Sequence, residues 1–162
     1  MTTPSAATPA LRTVLEADLW HRVYEYEHDD DGVRGFGAEA ADKLGVDPKR
    51  ILKTLVVRTS DGQLANAVLA VADMLNLKRV AKALKVKSVK MAEPAQVQQK
   101  TGYVLGGVSP LGQKTPLPMV VDSAVSQFDT VIVSGGQRGM SLELKTKDFL
   151  DLANASVVTI RR

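Results

Sequence analysis

The 162-residue chain contains no cysteine, one tryptophan, three tyrosines, three phenylalanines and two histidines. Without cysteine there is no disulfide, no thiolate nucleophile and no cysteine–zinc site. No apolar run approaches the ~18 residues that a membrane-spanning helix requires, so no membrane association is expected. The opening MTTPSAATPALRTV lacks a basic segment followed by an apolar one, and without a signal peptide a cytoplasmic protein is expected. Residues 1–10 read as a disordered tail and 11–162 as one domain, a length that buries about 70% of its unfolded surface.

The familiar catalytic signatures are missing as well. There is no Gly-x-x-x-x-Gly-Lys-Ser/Thr loop for nucleotide phosphates. The run Gly107-Val-Ser-Pro-Leu-Gly112 is one residue too long for a Gly-x-Ser-x-Gly nucleophile elbow. His21 and His28 lie far upstream of Ser109 and Ser134, so nothing assembles a triad. His28-Asp29-Asp30-Asp31-Gly32 reads as an acidic turn rather than a metal site, because three successive Asp before Gly is turn chemistry and the other histidine is remote. Neither a metal nor a cofactor is expected.

What is present is a mixture of short helices and strands. Leu11–Tyr26 reads as an amphipathic helix running into an extended segment. Ala38–Leu44 is a helix stopped by Gly45, and Asp47-Pro48 has the cap-and-proline form of a helix start. Ile51–Arg58 and Gln63–Val71 flank Ser60-Asp61-Gly62, a hairpin signal. Asn76 caps a helix with Leu77, Val80, Ala81 and Leu84 on one face. A strand near 88–91, a helix from Glu93-Pro94 to Gly102, strands at 118–122 and 130–133, a glycine-rich hairpin turn at 134–139, a helix at 148–152 and a strand at 156–160 complete the chain. Several strands are joined by turns that permit only antiparallel pairing. The fold class expected is therefore α+β, a mixed, mostly antiparallel, barrel-like sheet surrounded by helices.

Three features ask for explanation. Lys53 shares a strand face with Ile51, Leu55 and Val57; it either snorkels to water at the sheet end or places a cation at the mouth of a pocket. Thr54 faces the other way in a regular strand. Lys78–Lys90 contains six basic residues and no acid within a net charge of +3, either a solvated helix face or the footprint of a phosphate backbone. And LGGVSPLGQKTPLP, 105–118, is too rich in glycine and proline for helix or central strand, so it is either a connector or a shaped backbone surface that something approaches closely.

The stretches GFGAEAADKLGVDPKRILKTLVV, TGYVLGGVSPLGQKTPLPMVVD and VSGGQRGMSLEL, in this order and at these separations, resemble the YbaK/EbsC family of aminoacyl-tRNA deacylases, freestanding relatives of the editing domain of bacterial prolyl-tRNA synthetases. The resemblance runs from Tyr24 to Ile160 and implies that family's editing-domain fold. It implies that Gly106-Gly107-Val108-Ser109-Pro110 lies against the aminoacylated 3′ adenosine, with backbone amides as an oxyanion hole. Lys53, Gly106, Gly107 and Ser109 are then the catalytic residues, with Lys53 near terminal phosphate. Tyr26, Phe36, Thr54, Pro110, Ser134 and Gly135 bind substrate, with Tyr24 a rival to Tyr26, and Ser141 stands where some relatives carry Asp. Lys78, Arg79, Lys82 and Lys85 are the candidate contacts to the acceptor stem. The implied substrate is mischarged proline tRNA carrying cysteine, whose own thiol attacks the ester; the implied partner is prolyl-tRNA synthetase. An alanine or serine ester attacked by water, and a module that binds a tRNA end without catalysis, are the alternatives.

Overall fold

In the computed structural model, which describes residues 7–27 and 36–162 with the side chains of 36–38 excepted, the elements follow in the order α1 (Pro9–Glu16), β1 (His21–Glu25), α2 (Phe36–Leu44), β2 (Leu52–Thr59), β3 (Leu64–Ala70), α3 (Leu77–Leu84), β4 (Val89–Met91), α4 (Pro94–Thr101), β5 (Met119–Asp122), a 3-10 turn (Ser123–Gln127), β6 (Thr130–Ser134), β7 (Met140–Lys145), α5 (Thr146–Leu152) and β8 (Ser156–Val158). The strands form a three-stranded sheet, β1-β7-β6, and a five-stranded one, β4-β2-β3-β5-β8. Pairing is antiparallel except β3–β5 and β5–β8, which are parallel. This is the mixed α+β architecture expected. Among the described residues one parallel bridge, Ile51 to Ile132, joins the two sheets.

β3 is buried along its whole length because both its faces are covered. One face joins Leu52, Val56, Val121, Val133, Leu142 and Phe149 in the core between the sheets, and the other packs with Val57, Val120 and Val80 of α3. Each such side chain contributes roughly 1.5–3 kcal/mol of burial. α2 covers the junction of the sheets through Ala40 and Ala41, which pack on Ile51 and Ile132.

Two expectations are corrected. The tail does not extend to residue 10: Thr8 caps α1, its hydroxyl accepting from Leu11 N–H at 3.1 Å, and Ala10 and Leu11 are in the core. Positions 1–6 and the acidic run 28–32 lie outside the described residues. Asp47-Pro48 starts no helix. Its carboxylate accepts from Lys49 N–H at 2.9 Å and its carbonyl from Arg50 N–H at 2.9 Å, making one turn. The chain cannot continue helically, because the Arg50 carbonyl is already taken by Ile132 of β6, at 3.0 Å.

Candidate active site

β4 pairs with β2 only over Val57–Thr59. Main-chain groups alternate sides along a strand: the Ile51 carbonyl accepts from Val71 on the β3 side, the Val56 carbonyl from Ala92 on the β4 side. Leu52 and Thr54 therefore turn their main-chain groups toward the edge that β4 does not reach. β6 touches this edge at Ile132 and then diverges, leaving a cavity of about 450 Å³. Ile51–Leu55 and Val71 form one wall, Val133, Ser134, Met140 and Ser141 the other, with Tyr26, Ala40, Gln137 and the loop residues Leu105, Gly106 and Val108 closing it. Lys53 and Thr54 both border the cavity although they point to opposite faces of β2, because the cavity opens on the strand's edge.

Lys53 is half-buried, and its ammonium donates to the Asp73 carbonyl at 2.6 Å. An ammonium has three donors, so two remain for a ligand. Burial pulls its pKa below the ordinary lysine value, with the Asp73 carboxylate partly offsetting this.

The 105–118 stretch is a shaped surface and not a slack connector. Gln113 exchanges two amide hydrogen bonds with Asn66 of β3, at 2.9 and 2.8 Å, and donates a third to the Ser109 carbonyl at 3.0 Å. Tyr103, whose phenol burial pushes up to about 12, donates to the Leu111 carbonyl at 2.7 Å. Gly112, at φ +67°, presses on α1: a Cβ there would lie 2.5 Å from the Pro9 carbonyl.

The structure separates the residues grouped by sequence. Of these, Tyr26, Lys53, Thr54, Gly106 and Ser134 border the cavity. Ser109 does not; it is fully buried, and its hydroxyl accepts from Leu111 N–H at 3.2 Å, a turn-forming role. The Gly107 amide is spent on the Val104 carbonyl at 2.9 Å, and Pro110 is buried and does not border the cavity. Gly135 pairs with the Met140 carbonyl at 2.8 Å and accepts the Thr8 hydroxyl, while a Cβ would strike Met140 Cγ at 2.6 Å. These four shape the walls from behind. The Phe36 side chain lies outside the described residues. Gly106 and Val108, in contrast, border the cavity, and neither N–H has an acceptor among the described residues.

Tyr26, not Tyr24, borders the cavity. Burial raises its phenol, and a hydrogen bond with Ser141 partly offsets the shift. Ser141 itself sits in β7 opposite Ser134 and belongs to the cavity wall. Ser134 keeps its hydroxyl at the wall while accepting from Gly136 N–H at 3.2 Å.

Glu143, one residue beyond Leu142 on β7, was not singled out by sequence. Its carboxylate accepts from Tyr24 and Thr130 hydroxyls at 2.7 Å each and from Arg50 at 3.3 Å. Burial pushes its pKa up, but those hydrogen bonds and the charges of Arg50 and Arg22 outweigh it, and the net direction is down. A carboxylate in the alternating strand MSLELK is the only signal the sequence offers. The basic run divides: Lys78, Arg79, Lys82 and Lys85 are exposed on and just after α3, whereas Lys90 sits opposite Arg58 beside a second cavity of about 340 Å³ at the other end of β2.

The arrangement offers free backbone donors beside an apolar, half-enclosed slot with a cation at its edge. That suits an ester whose carbonyl must be polarised. The aminoacyl-tRNA editing domain family matches over residues 32–152. EbsC of Enterococcus faecalis, named for Cys-tRNA(Pro)/Cys-tRNA(Cys) deacylation, is 33% identical over 153 residues, covering 94% of this chain and 92% of that protein. ProXp-y of Escherichia coli K12, named as a multifunctional Ser/Thr-tRNA deacylase, is 31% identical over 97 residues, 59% of this chain and 58% of that one. A crystal structure described as a trans-editing enzyme for prolyl-tRNA synthetase superposes with a TM-score of 0.82 over 100% of this chain and 99% of its own, at 27% identity.

Proposed function

The chain belongs to the aminoacyl-tRNA editing domain family and is an aminoacyl-tRNA deacylase, and from that premise we propose that it clears cysteine from proline tRNA by letting the substrate's own thiol do the attack. The observation that carries this reading is the cavity wall: among its described residues the titratable side chains are Tyr26 and Lys53, with neither a carboxylate nor an imidazole to take a proton from water. A cysteine thiol, with an ordinary pKa near ~8.5, needs far less help than water does.

In this mechanism the thiolate sulfur bonds to the ester carbonyl carbon, the carbon–oxygen ester bond breaks, and the ribose oxygen leaves as a hydroxyl after taking the proton. The product is the free tRNA end and a cysteine thiolactone, which water opens. The enzyme supplies position, dryness and donors for the oxyanion, Gly106 N–H and Val108 N–H. Lys53 holds a terminal phosphate with its remaining donors, Ser134 and Ser141 meet the substrate's polar groups, and Lys78, Arg79, Lys82 and Lys85 meet the acceptor stem. The reaction takes place in the cytoplasm, in trans to prolyl-tRNA synthetase.

The similarity to a Ser/Thr-tRNA deacylase favours a second reading, in which a serine or alanine ester is cleaved by water. The two are separated by charging proline tRNA with cysteine, S-methylcysteine, serine, alanine and proline. Release of cysteine with S-methylcysteine retained supports the thiol mechanism. Release of S-methylcysteine, serine or alanine at a comparable rate replaces it with water attack. Retention of every ester leaves only a tRNA-binding role. For the basic helix, an affinity for tRNA that does not fall with added salt removes the assignment.

A further inference from the structure

The first turn of the glycine-rich loop runs from Val104 to Gly107, closed by Gly107 N–H on the Val104 carbonyl at 2.9 Å. Gly106, its third residue, has φ +86°, and Leu105 is not among the residues with positive φ. That is a type II turn. Types I and II differ by reversal of the central peptide, here Leu105–Gly106, with the flanking residues little changed. The two orientations present opposite chemistry to the cavity. One offers the Gly106 N–H, a donor for an oxyanion; the other offers the Leu105 carbonyl, which repels it.

Arg138, in the glycine-rich turn after β6, decides between them. Its Nε and Nη2 both donate to the Leu105 carbonyl, at 3.0 and 2.8 Å; both residues are exposed, and Arg138 is not among the residues that border the cavity, so the carbonyl is drawn away from it. Within a trans peptide the N–H points opposite to the carbonyl. A carbonyl gripped on the solvent side therefore turns the Gly106 N–H inward, at a residue that borders the cavity. The grip has the reach it needs because the two turns touch: a Cβ on Gly107 would lie 3.0 Å from Gln137 Cα.

We propose that Arg138 is a positioning residue for deacylation, holding the Leu105–Gly106 peptide in the orientation that makes Gly106 an oxyanion donor. The proposal rests on the deacylase reading above and adds to it the device that sets the donor. It also assigns a purpose to the second glycine-rich turn, which reaches across the cavity mouth to act on the first.

The test uses the full chain and tRNA charged with whichever amino acid the wild type releases, comparing Arg138→Ala, Arg138→Lys, Gly106→Ala and the Arg138→Ala/Gly106→Ala double variant. Loss of one oxyanion donor costs about 10²–10³ in kcat. A donor left to sample both orientations should cost less, about 10- to 100-fold, with KM within about twofold. Arg138→Lys, with one ammonium in place of the fork, should recover part of the rate. Because both residues act through one peptide, the double variant should be little slower than the slower single one. An effect of Arg138→Ala on KM alone, or losses that multiply in the double variant, overturns the proposal. Thermal unfolding verifies that each variant folds, and if Arg138→Ala does not, the kcat-against-KM split of Arg138→Lys decides. A wild type that releases no amino acid overturns the deacylase reading and this proposal together, whereas an active wild type matched by its Arg138 variants overturns only the latter.

Discussion

Arg50 and Glu143 meet across the junction of the two sheets, Nη2 lying 3.3 Å from Oε2 beside the Ile51–Ile132 bridge. This contact ties the start of β2, which carries Lys53, to the strand that carries Ser141. Glu143→Gln should cost about 2 kcal/mol, the range for hydrogen bonds to a buried charge, read as a shift in the urea midpoint. The folded carboxylate has a depressed pKa. Its contribution is thus complete above the ordinary glutamate value and lost as pH falls through the folded one. Wild type should lose stability in that acid range while the variant loses less; identical acid transitions would refute the role.

Lys53 has the opposite sign. Burial lowers its folded pKa, so the charged form is a cost to the fold, and stability should rise as pH climbs through the folded value, where the unfolded chain still binds the proton. Lys53→Met should raise the urea midpoint at neutral pH and remove that alkaline rise. The same variant should release amino acid about 10- to 100-fold more slowly, the equivalent of a lost charged hydrogen bond of about 1.5–3 kcal/mol. A variant less stable than wild type, with unchanged release, would make Lys53 an ordinary structural lysine.

Gly112 carries φ +67°, and a Cβ there would stand 2.5 Å from the Pro9 backbone. Gly112→Ala should destabilise by about 2–4 kcal/mol, from left-handed strain and overpacking together. Deleting residues 1–10 should be costly too, because it removes the Thr8 cap and the buried Ala10. Calorimetry showing the deleted chain as stable as the whole would restore the reading of those ten residues as a tail.

Gln113→Ala leaves the Asn66 amide, 1% exposed, without its partner. The expected cost is about 1–3 kcal/mol for a buried group left unsatisfied. Replacing both residues with leucine should cost less than the single change, since no orphan remains. A double-mutant cycle on chemical unfolding measures the coupling, and a value near zero would mean that the pair does not hold the loop.

Local signals were legible where local physics decides. The Ser60-Asp61-Gly62 turn, the Asn76 cap and the Gly102 stop all stand where short-range rules put them. Long-range competition decided the rest. Asp47-Pro48 has the form of a helix start, but β6 claims the Arg50 carbonyl. Lys53 and Thr54 share a cavity that alternation along a strand forbids, because alternation describes faces and the cavity lies on an edge. Ser109 and Gly107 are conspicuous in sequence, yet their polar groups are consumed inside the loop. Arg138 and Glu143 were invisible because their meaning depends on partners 33 and 93 positions away.

The Thr8 hydroxyl closes on the Gly135 carbonyl across 127 positions of sequence. On a ribosome adding about 5–20 residues per second, that contact must wait on the order of 10 s after Thr8 is made. The glycine loop rests on α1, and the second glycine turn holds both, so the slot takes shape after most of the chain has been synthesised. A half-made chain thus has no working slot with which to sequester charged tRNA beside the ribosome that is making it, and its editing begins as a late event in its own synthesis.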